Sequence, residues 1–219
     1  MRTSVKALVF LVAGSLSAAA SATLGISTAE DGQRFHFKVY LNERPIGEHR
    51  FSVAGTGDTV SVTSTADFSV DFLFLNLYRY RHDSRETWRD GCLRAIDATT
   101  EDNGDRLVVR GEARGGLFSV TGPAGRIQAE GCLKSFAYWD KSFLQQPRLL
   151  NPQTGELVEV AAMALGEERI EVRGKWIPAS RYQLTADGVQ IELWYNDALG
   201  WVGLASTLGE GRRLAYRLQ

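Results

Sequence analysis

His82, Asp83 and Ser84 stand side by side and supply the residue types of a nucleophilic triad. Their adjacency defeats that chemistry. Residues 78–89 alternate as a strand, and neighbouring strand residues point to opposite faces, so the three do not converge by themselves. His82 reads instead as a half-buried polar residue beside Tyr80. His36 and His49 fall on separate candidate strands, and a three-histidine metal site would need all three strands to meet. The chain has no G-x-S-x-G elbow, no H-E-x-x-H pair and no phosphate-cradling Gly-rich loop ahead of a helix. No catalytic residue, metal ligand or cofactor is expected.

Binding chemistry offers more. Arg79, Arg81, Arg85 and Arg89 share one strand face and could fork onto an anionic head group. With Asp83 among them, a solvated outer face is the simpler reading. The run Phe72-Leu73-Phe74-Leu75-Asn76-Leu77 carries five apolar side chains and no alternation. It suits a strand buried on both faces, a loop folded into the core, or an exposed apolar edge that meets lipid. It directly precedes a strand whose even face bears Tyr78, Tyr80 and Trp88. If the sheet curves, Phe72, Phe74, Leu75, Tyr78, Tyr80, Trp88 and Trp139 are the candidate ligand-binding residues on its concave side. Cys92 and Cys132 are the two cysteines, and in an oxidising compartment an even pair reads as a disulfide. Buried free thiols or a metal pair are the alternatives, and no histidine stands at ligand spacing to make a zinc site.

The elements that position these residues centre on 78–112. Asp90-Gly91 and Asn103-Gly104 separate alternating runs, and both central positions of a type I′ turn need φ > 0. A three-stranded meander follows. Tyr78, Tyr80, His82, Ser84, Glu86 and Trp88 occupy one face of its first strand. A two-residue Asn103-Gly104 loop sets Thr100 opposite Leu107, Ala98 opposite Val109 and Asp97 opposite Arg110. Upstream, a three-residue loop near Asn42 would pair Phe35 with Phe51 and Phe37 with His49, keeping the apolar sets on one face.

Beyond the meander, 117–121 and 126–129 read as short strands around Gly122-Pro123-Ala124-Gly125. Phe136, Trp139, Phe143 and Leu144 recur at helical spacing, with Ser135 as N-cap and Pro147 as stop, which predicts one short helix. Strands are expected again at 156–163, 169–172, 176–185, 189–195, 201–208 and 213–218. With 22 glycines and turns at regular spacing, the fold expected is mainly β, an antiparallel meander forming a strongly curved sheet or incomplete barrel with one short helix.

Residues 1–22 have the parts of a secretory signal: Arg2 and Lys6, an apolar centre, and Ala20-Ser21-Ala22 for cleavage. A flexible leader at 23–33 and a single domain at 34–219 are expected to follow, in the periplasm. Losing the signal moves the formal net charge from −1 to −3, which argues against nucleic acid and a polybasic membrane grip. No later segment is long and apolar enough for a transmembrane helix.

The phrases Pro45-Ile46-Gly47-Glu48-His49-Arg50-Phe51, Tyr78-Arg79-Tyr80-Arg81-His82, Trp88-Arg89-Asp90-Gly91-Cys92-Leu93, Ser135-Phe136-Ala137-Tyr138-Trp139 and Leu193-Trp194-Tyr195 carry a resemblance. Together they resemble a family of secreted Gram-negative proteins known as a domain of unknown function. That resemblance implies no activity and no catalytic residue. A meander with one helix is also similar, at the level of fold, to curved-sheet carriers of lipoproteins and hydrophobic molecules in the cell envelope. The function expected is non-enzymatic binding or carriage of an apolar or amphipathic envelope molecule, such as a lipid. A structural or protein-interaction module is the alternative, an enzyme of unrecognised type the next, and an outer-membrane barrel the last.

Overall fold

The computed structural model describes residues 32–56, 58–72 and 75–219, with the backbone alone at 56, 71, 72 and 75–77. The export signal expected at 1–22 and all but the last two residues of the expected leader lie outside them.

Alternation sets the strands. Successive strands are β1 (Gln33–Leu41), β2 (Arg44–Thr56), β3 (Thr59–Phe72), β4 (Leu75–Arg89), β5 (Cys92–Asp102), β6 (Asp105–Arg114), β7 (Leu117–Gly122) and β8 (Gly125–Glu130). They continue as β9 (Arg148–Leu150), β10 (Leu157–Val172), β11 (Lys175–Ala186), β12 (Val189–Asn196), β13 (Gly200–Thr207) and β14 (Arg213–Leu218). All pair antiparallel in one sheet, in the order 8-7-6-5-4-3-2-1-14-13-12-11-10-9. Thus two meanders are zipped together where β1 meets β14, with Phe37 opposite Leu218. The sheet is not closed into a barrel: β8 and β9 are its two ends.

The expected central register is the observed one. Asp97 faces Arg110, Ala98 faces Val109 and Thr100 faces Leu107, around Asn103 and Gly104 at φ 51° and 102°. From Tyr80 to Trp88, the even residues of β4 are buried and the odd ones exposed. The arginine face therefore points outward, where Arg81 pairs with Asp67 at 3.2 Å.

Phe35 does face Phe51, and Phe37 does face His49, but the turn differs from the one expected. Asn42 and Glu43 form a two-residue turn, both at positive φ. A bulge at Ile46 adds the residue that restores the parity, so the same side chains stay inward. In the second meander, the segments expected at 156–163 and 169–172 are one strand, β10, bulged between Ala164 and Gly166.

The connection from β8 to β9 decides what the sheet encloses. Leu93 N donates to Leu133 O and Leu150 N to Lys134 O, tying β5 and the end strand β9 to this segment. Cys92 and Cys132 are joined, with Cα atoms 5.0 Å apart. Leu133, Ala137 and Phe143 are buried, and Tyr195 Oη donates to Tyr138 O. Leu133–Ser135, Ala137 and Phe143 thus turn into the coil of the sheet, while Lys141 and Gln145 stay at the surface.

The α-helix expected from Ser135 is absent. Bends lead into a 3-10 helix at Lys141–Gln145, whose N-cap is Asp140, accepting from Ser142 N. Two causes override the helical spacing. The backbone at 133–134 is held extended by its strand partners, and the aromatic side chains diverge to separate targets. Trp139 meets Trp88 edge-on at 5.4 Å, while Tyr138 lies 5.2 Å from Trp201.

The core is continuous across both meanders. Trp201 of β13, fully buried, sits at its centre with Phe37 of β1 at 4.2 Å and Phe51 of β2 at 5.2 Å. Contacts across so many strands require a coiled sheet.

Candidate functional site

Three cross-strand rows on the inward face of β3, β4 and β5 create the site. One row is Ser64, Ser84 and Ala98, and the next is Ala66, His82 and Thr100. Small and polar residues thus replace the large apolar ones that would fill a sheet this curved. The third row, Val62, Glu86 and Ile96, places a carboxyl on the same inward face. Opposite lie residues from the second meander, among them Ile191, Leu204 and Tyr216, and the aromatic stretch 136–139. Between these walls is a cavity of about 530 Å³. Its size lies within the range of small-molecule sites.

The polar wall is partly satisfied. His49 Nε2 lies 2.7 Å from Ser64 Oγ, and His49 Nδ1 lies 3.4 Å from Tyr216 Oη. His82 Nδ1 is 2.8 Å from Thr100 Oγ1. Trp88 Nε1 donates to Glu86 Oε2 at 2.9 Å, and Ser135 also hydrogen-bonds Glu86. Ser84 Oγ and Trp139 Nε1 are buried without a partner among the described residues.

Burial sets the charge state. It pushes His49 down to about 3, helped by nearby His82, and His82 down to about 4 against the pull of Asp83. Both are neutral imidazoles at pH 7. Burial pushes the Glu86 carboxyl up to about 7, while the bonds from Ser135 and Trp88 hold it back. The Tyr80, Tyr138 and Tyr216 hydroxyls are raised by burial and remain protonated donors. Among the described residues the lining contains Glu86 and Asp187 but no lysine or arginine.

His49 and Ser64 have the types and spacing of a base and a nucleophile. Yet Ser64 sits mid-ladder, opposite Phe51 on one side and Ser84 on the other. Strand pairing engages the amides that an oxyanion hole would need. The second ring nitrogen of His49 faces a tyrosine instead of a carboxylate. This arrangement supplies neutral hydrogen-bonding groups and one buried acid beside aromatic walls, which suits binding.

Of the residues expected to bind a ligand, Tyr80 and Trp139 line the cavity. Tyr78 is half-buried and packs with the satellite cluster of Val39, Ala66, Phe68 and Tyr80. Trp88 is 1% exposed and belongs to the core, because Trp139 covers it from the connection. Phe72 and Leu75 pair at the end of the β3–β4 hairpin, but their side chains, and all of Phe74, lie outside the described residues. Reasoning from sequence passed over His49, Ser84 and Glu86 as lining residues. Their signal was legible, since Ser84 and Glu86 share the inward face of β4 with Tyr80 and Trp88.

Among the described residues no group of three His, Cys, Asp or Glu side chains is placed to hold a metal ion. No described helix is long and apolar enough to cross a membrane. A second hollow, about 810 Å³, lies near Arg173 and Arg217. Two of its arginines are paired locally, Arg217 with Glu43 and Arg213 with Glu192.

No curated protein matches the chain. Its fold is similar to that of a β-barrel-like protein of the domain of unknown function DUF1849 from Brucella abortus, with a TM-score of 0.60 and 12% identity. That similarity covers 86% of this chain and 95% of the other. At this identity the likeness concerns the fold alone. The family described as domain of unknown function DUF6134 matches residues 37–219, the span that holds nearly every strand and the whole cavity wall, and the chain belongs to that family.

Proposed function

We propose that this is an exported, periplasmic binding protein that takes an apolar or amphipathic molecule, such as a lipid, into the cavity between β2–β4 and β12–β14. One observation carries this reading: the inward rows at Ser64–Ala98 and Ala66–Thr100 leave a cavity of about 530 Å³ walled by aromatic rings. A structural domain would bring large side chains to those rows and pack them shut. An apolar chain entering the cavity would contact Phe51, Phe68 and Leu204, while its polar end meets Ser84 and Glu86. The export signal read at 1–22 supports the compartment.

The test uses purified mature protein and the neutral dye N-phenyl-1-naphthylamine. Saturable fluorescence enhancement, reversed by long-chain amphiphiles and weakened by Ser84→Leu, is expected. Dye that never binds wild-type protein refutes the reading.

One observation favours an interaction module instead. On β10, residues 161–166 are exposed, with Met163 and Leu165 at 54% and 41%, and β9 pairs only with 157–159. A free apolar strand edge of this kind is a pairing surface. Concentration-dependent self-association abolished by Met163→Lys would support it, and a monomer at all concentrations would count against it.

A further inference from the structure

The geometry points to a cationic head group as the ligand's polar end: the cavity takes an amphiphilic amine or quaternary ammonium seated on the Glu86 carboxylate. This identification rests on the binding-protein reading above and names its ligand class.

Glu86 is 8% exposed, and it lies on the inward face of β4 at the cavity wall. An ionised carboxylate has about four acceptor positions. Among the described residues, Trp88 Nε1 and Ser135 are the groups bonded to it. No salt bridge reaches it among the described residues, and the lining offers neither lysine nor arginine. Among the described residues the buried lysine is Lys134, and it is committed to Asp140 at 2.8 Å and to Ser142. A buried carboxylate without a counter-charge is costly, and either a proton or an incoming cation relieves it.

The other ionisable groups on the cavity wall do not compete for that role. His49 and His82 are held neutral, Tyr80, Tyr138 and Tyr216 stay protonated, and Asp187 adds a second acid. An anionic head group would therefore meet only acids and neutral dipoles. A cation would meet Glu86 and the rings of Phe136, Tyr138 and Trp139, whose faces attract positive charge. Ser84, two residues before Glu86 on the same face, has a hydroxyl without a protein partner that can accept an N–H.

The alternative is that Glu86 is a structural acid, kept protonated to hold Ser135 and Trp88. Displacement of bound N-phenyl-1-naphthylamine separates the two. Three probes share one alkyl chain: dodecyltrimethylammonium, dodecanol and dodecanoate, each below its micellar concentration at about pH 8. In wild-type protein the ammonium should bind about tenfold or more tighter than the alcohol, and the carboxylate weakest. In Glu86→Gln that preference should vanish while dodecanol affinity stays within about threefold.

Equal or tighter binding of dodecanol or dodecanoate by wild type overturns the cation seat and leaves the cavity reading standing. So does a preference that survives in Glu86→Gln. If neither the dye nor any probe binds, both readings fall together. Should Glu86→Gln not fold, the wild-type pH profile decides. Ammonium affinity should drop about fivefold or more from pH 8 to 5.5 as Glu86 takes up its proton, with dodecanol unchanged. A flat ammonium profile overturns the proposal.

Discussion

Replacing Ser84 with leucine separates an open site from a packed core. Ser84 is 5% exposed, and its hydroxyl has no partner among the described residues. A buried hydroxyl left unsatisfied costs about 1–3 kcal/mol. Its cross-strand neighbours are Ser64 and Ala98, both small, so the new side chain meets the cavity before it meets another residue. Full burial of a leucine stabilises by about 1.5–3 kcal/mol, and contact on one side only recovers about half of that. Relief of the hydroxyl and partial burial together predict that Ser84→Leu is more stable than wild type by about 1–2 kcal/mol. For a chain of this size, that raises the melting temperature by roughly 2–8 °C. The same side chain occupies the dye's space, so affinity for N-phenyl-1-naphthylamine should fall about tenfold or more. Urea melts of the oxidised protein, with unchanged m-value, measure the first effect and dye titration the second. Overpacking a filled core instead costs about 1–3 kcal/mol. Destabilisation beyond about 1 kcal/mol would show that the space opposite Ser84 is already taken, and the reasoning from small-residue rows would fail.

Cys132→Ser opens a disulfide that spans 40 residues and ties β5 to the inner connection, and should cost about 3–4 kcal/mol in urea melts; a change under about 1 kcal/mol would show that Leu133 and Lys134 hold the segment alone. Gly104→Val should destabilise by more than about 1 kcal/mol, because φ is 102° there while nothing crowds the new Cβ. Arg81→Gln, which breaks only an exposed pair with Asp67, should change stability by less than about 0.5 kcal/mol, and equal effects from the two substitutions would refute the facing of β4. His49 and His82 have folded values of about 3 and about 4 against 6.5 unfolded, so the stability they contribute is present above pH 6.5 and is lost as the pH falls toward 4. Glu86, raised from 4.5 to about 7, contributes in the opposite sense, with stability present below pH 4.5 and lost as the pH rises to about 7. Two histidines outweigh one carboxyl, so the urea midpoint should fall on acidification from pH 6.5 to 4.5, and His82→Gln should flatten the profile; a wild-type midpoint that holds or rises across that window would contradict the burial of the histidines.

The rows that line the cavity explain why its polar members matter together. His49 and Ser64 satisfy each other, as do His82 and Thr100, and each pair neutralises groups that would otherwise bond a ligand. Among the described residues, Ser84, Trp139 Nε1 and the spare acceptor capacity of Glu86 are among the groups that remain available. Specificity on this reading lies in the few groups left unpaired, with the aromatic walls supplying contact area.

The amino-acid sequence by itself determined the local geometry of the sheet. Asn103-Gly104 demands positive φ at both turn positions, and that turn sets Asp97 against Arg110 and Ala98 against Val109. Alternation from Tyr80 to Trp88 settles which side chains face inward, and parity on β1 and β2 places Phe35 opposite Phe51 even though a bulge at Ile46 replaces the longer loop expected. These are interactions between near neighbours in the chain, and a period of two encodes them. Only the tertiary structure decided what an inward residue meets. Trp88 is covered by Trp139 and becomes core, whereas Ser84 and Glu86 on the same face open onto the cavity. The spacing of Phe136, Trp139 and Phe143 reads as a helix, yet strand bonds at Leu133 and Lys134 and divergent aromatic targets leave bends and a short 3-10 helix there instead. The cavity forms because β1 pairs with β14 and brings Leu204 and Tyr216 opposite His49 and Ser84. A contact between residues so distant in the chain leaves no periodic trace, because the strand pattern records a side chain's direction and not the partner that waits there.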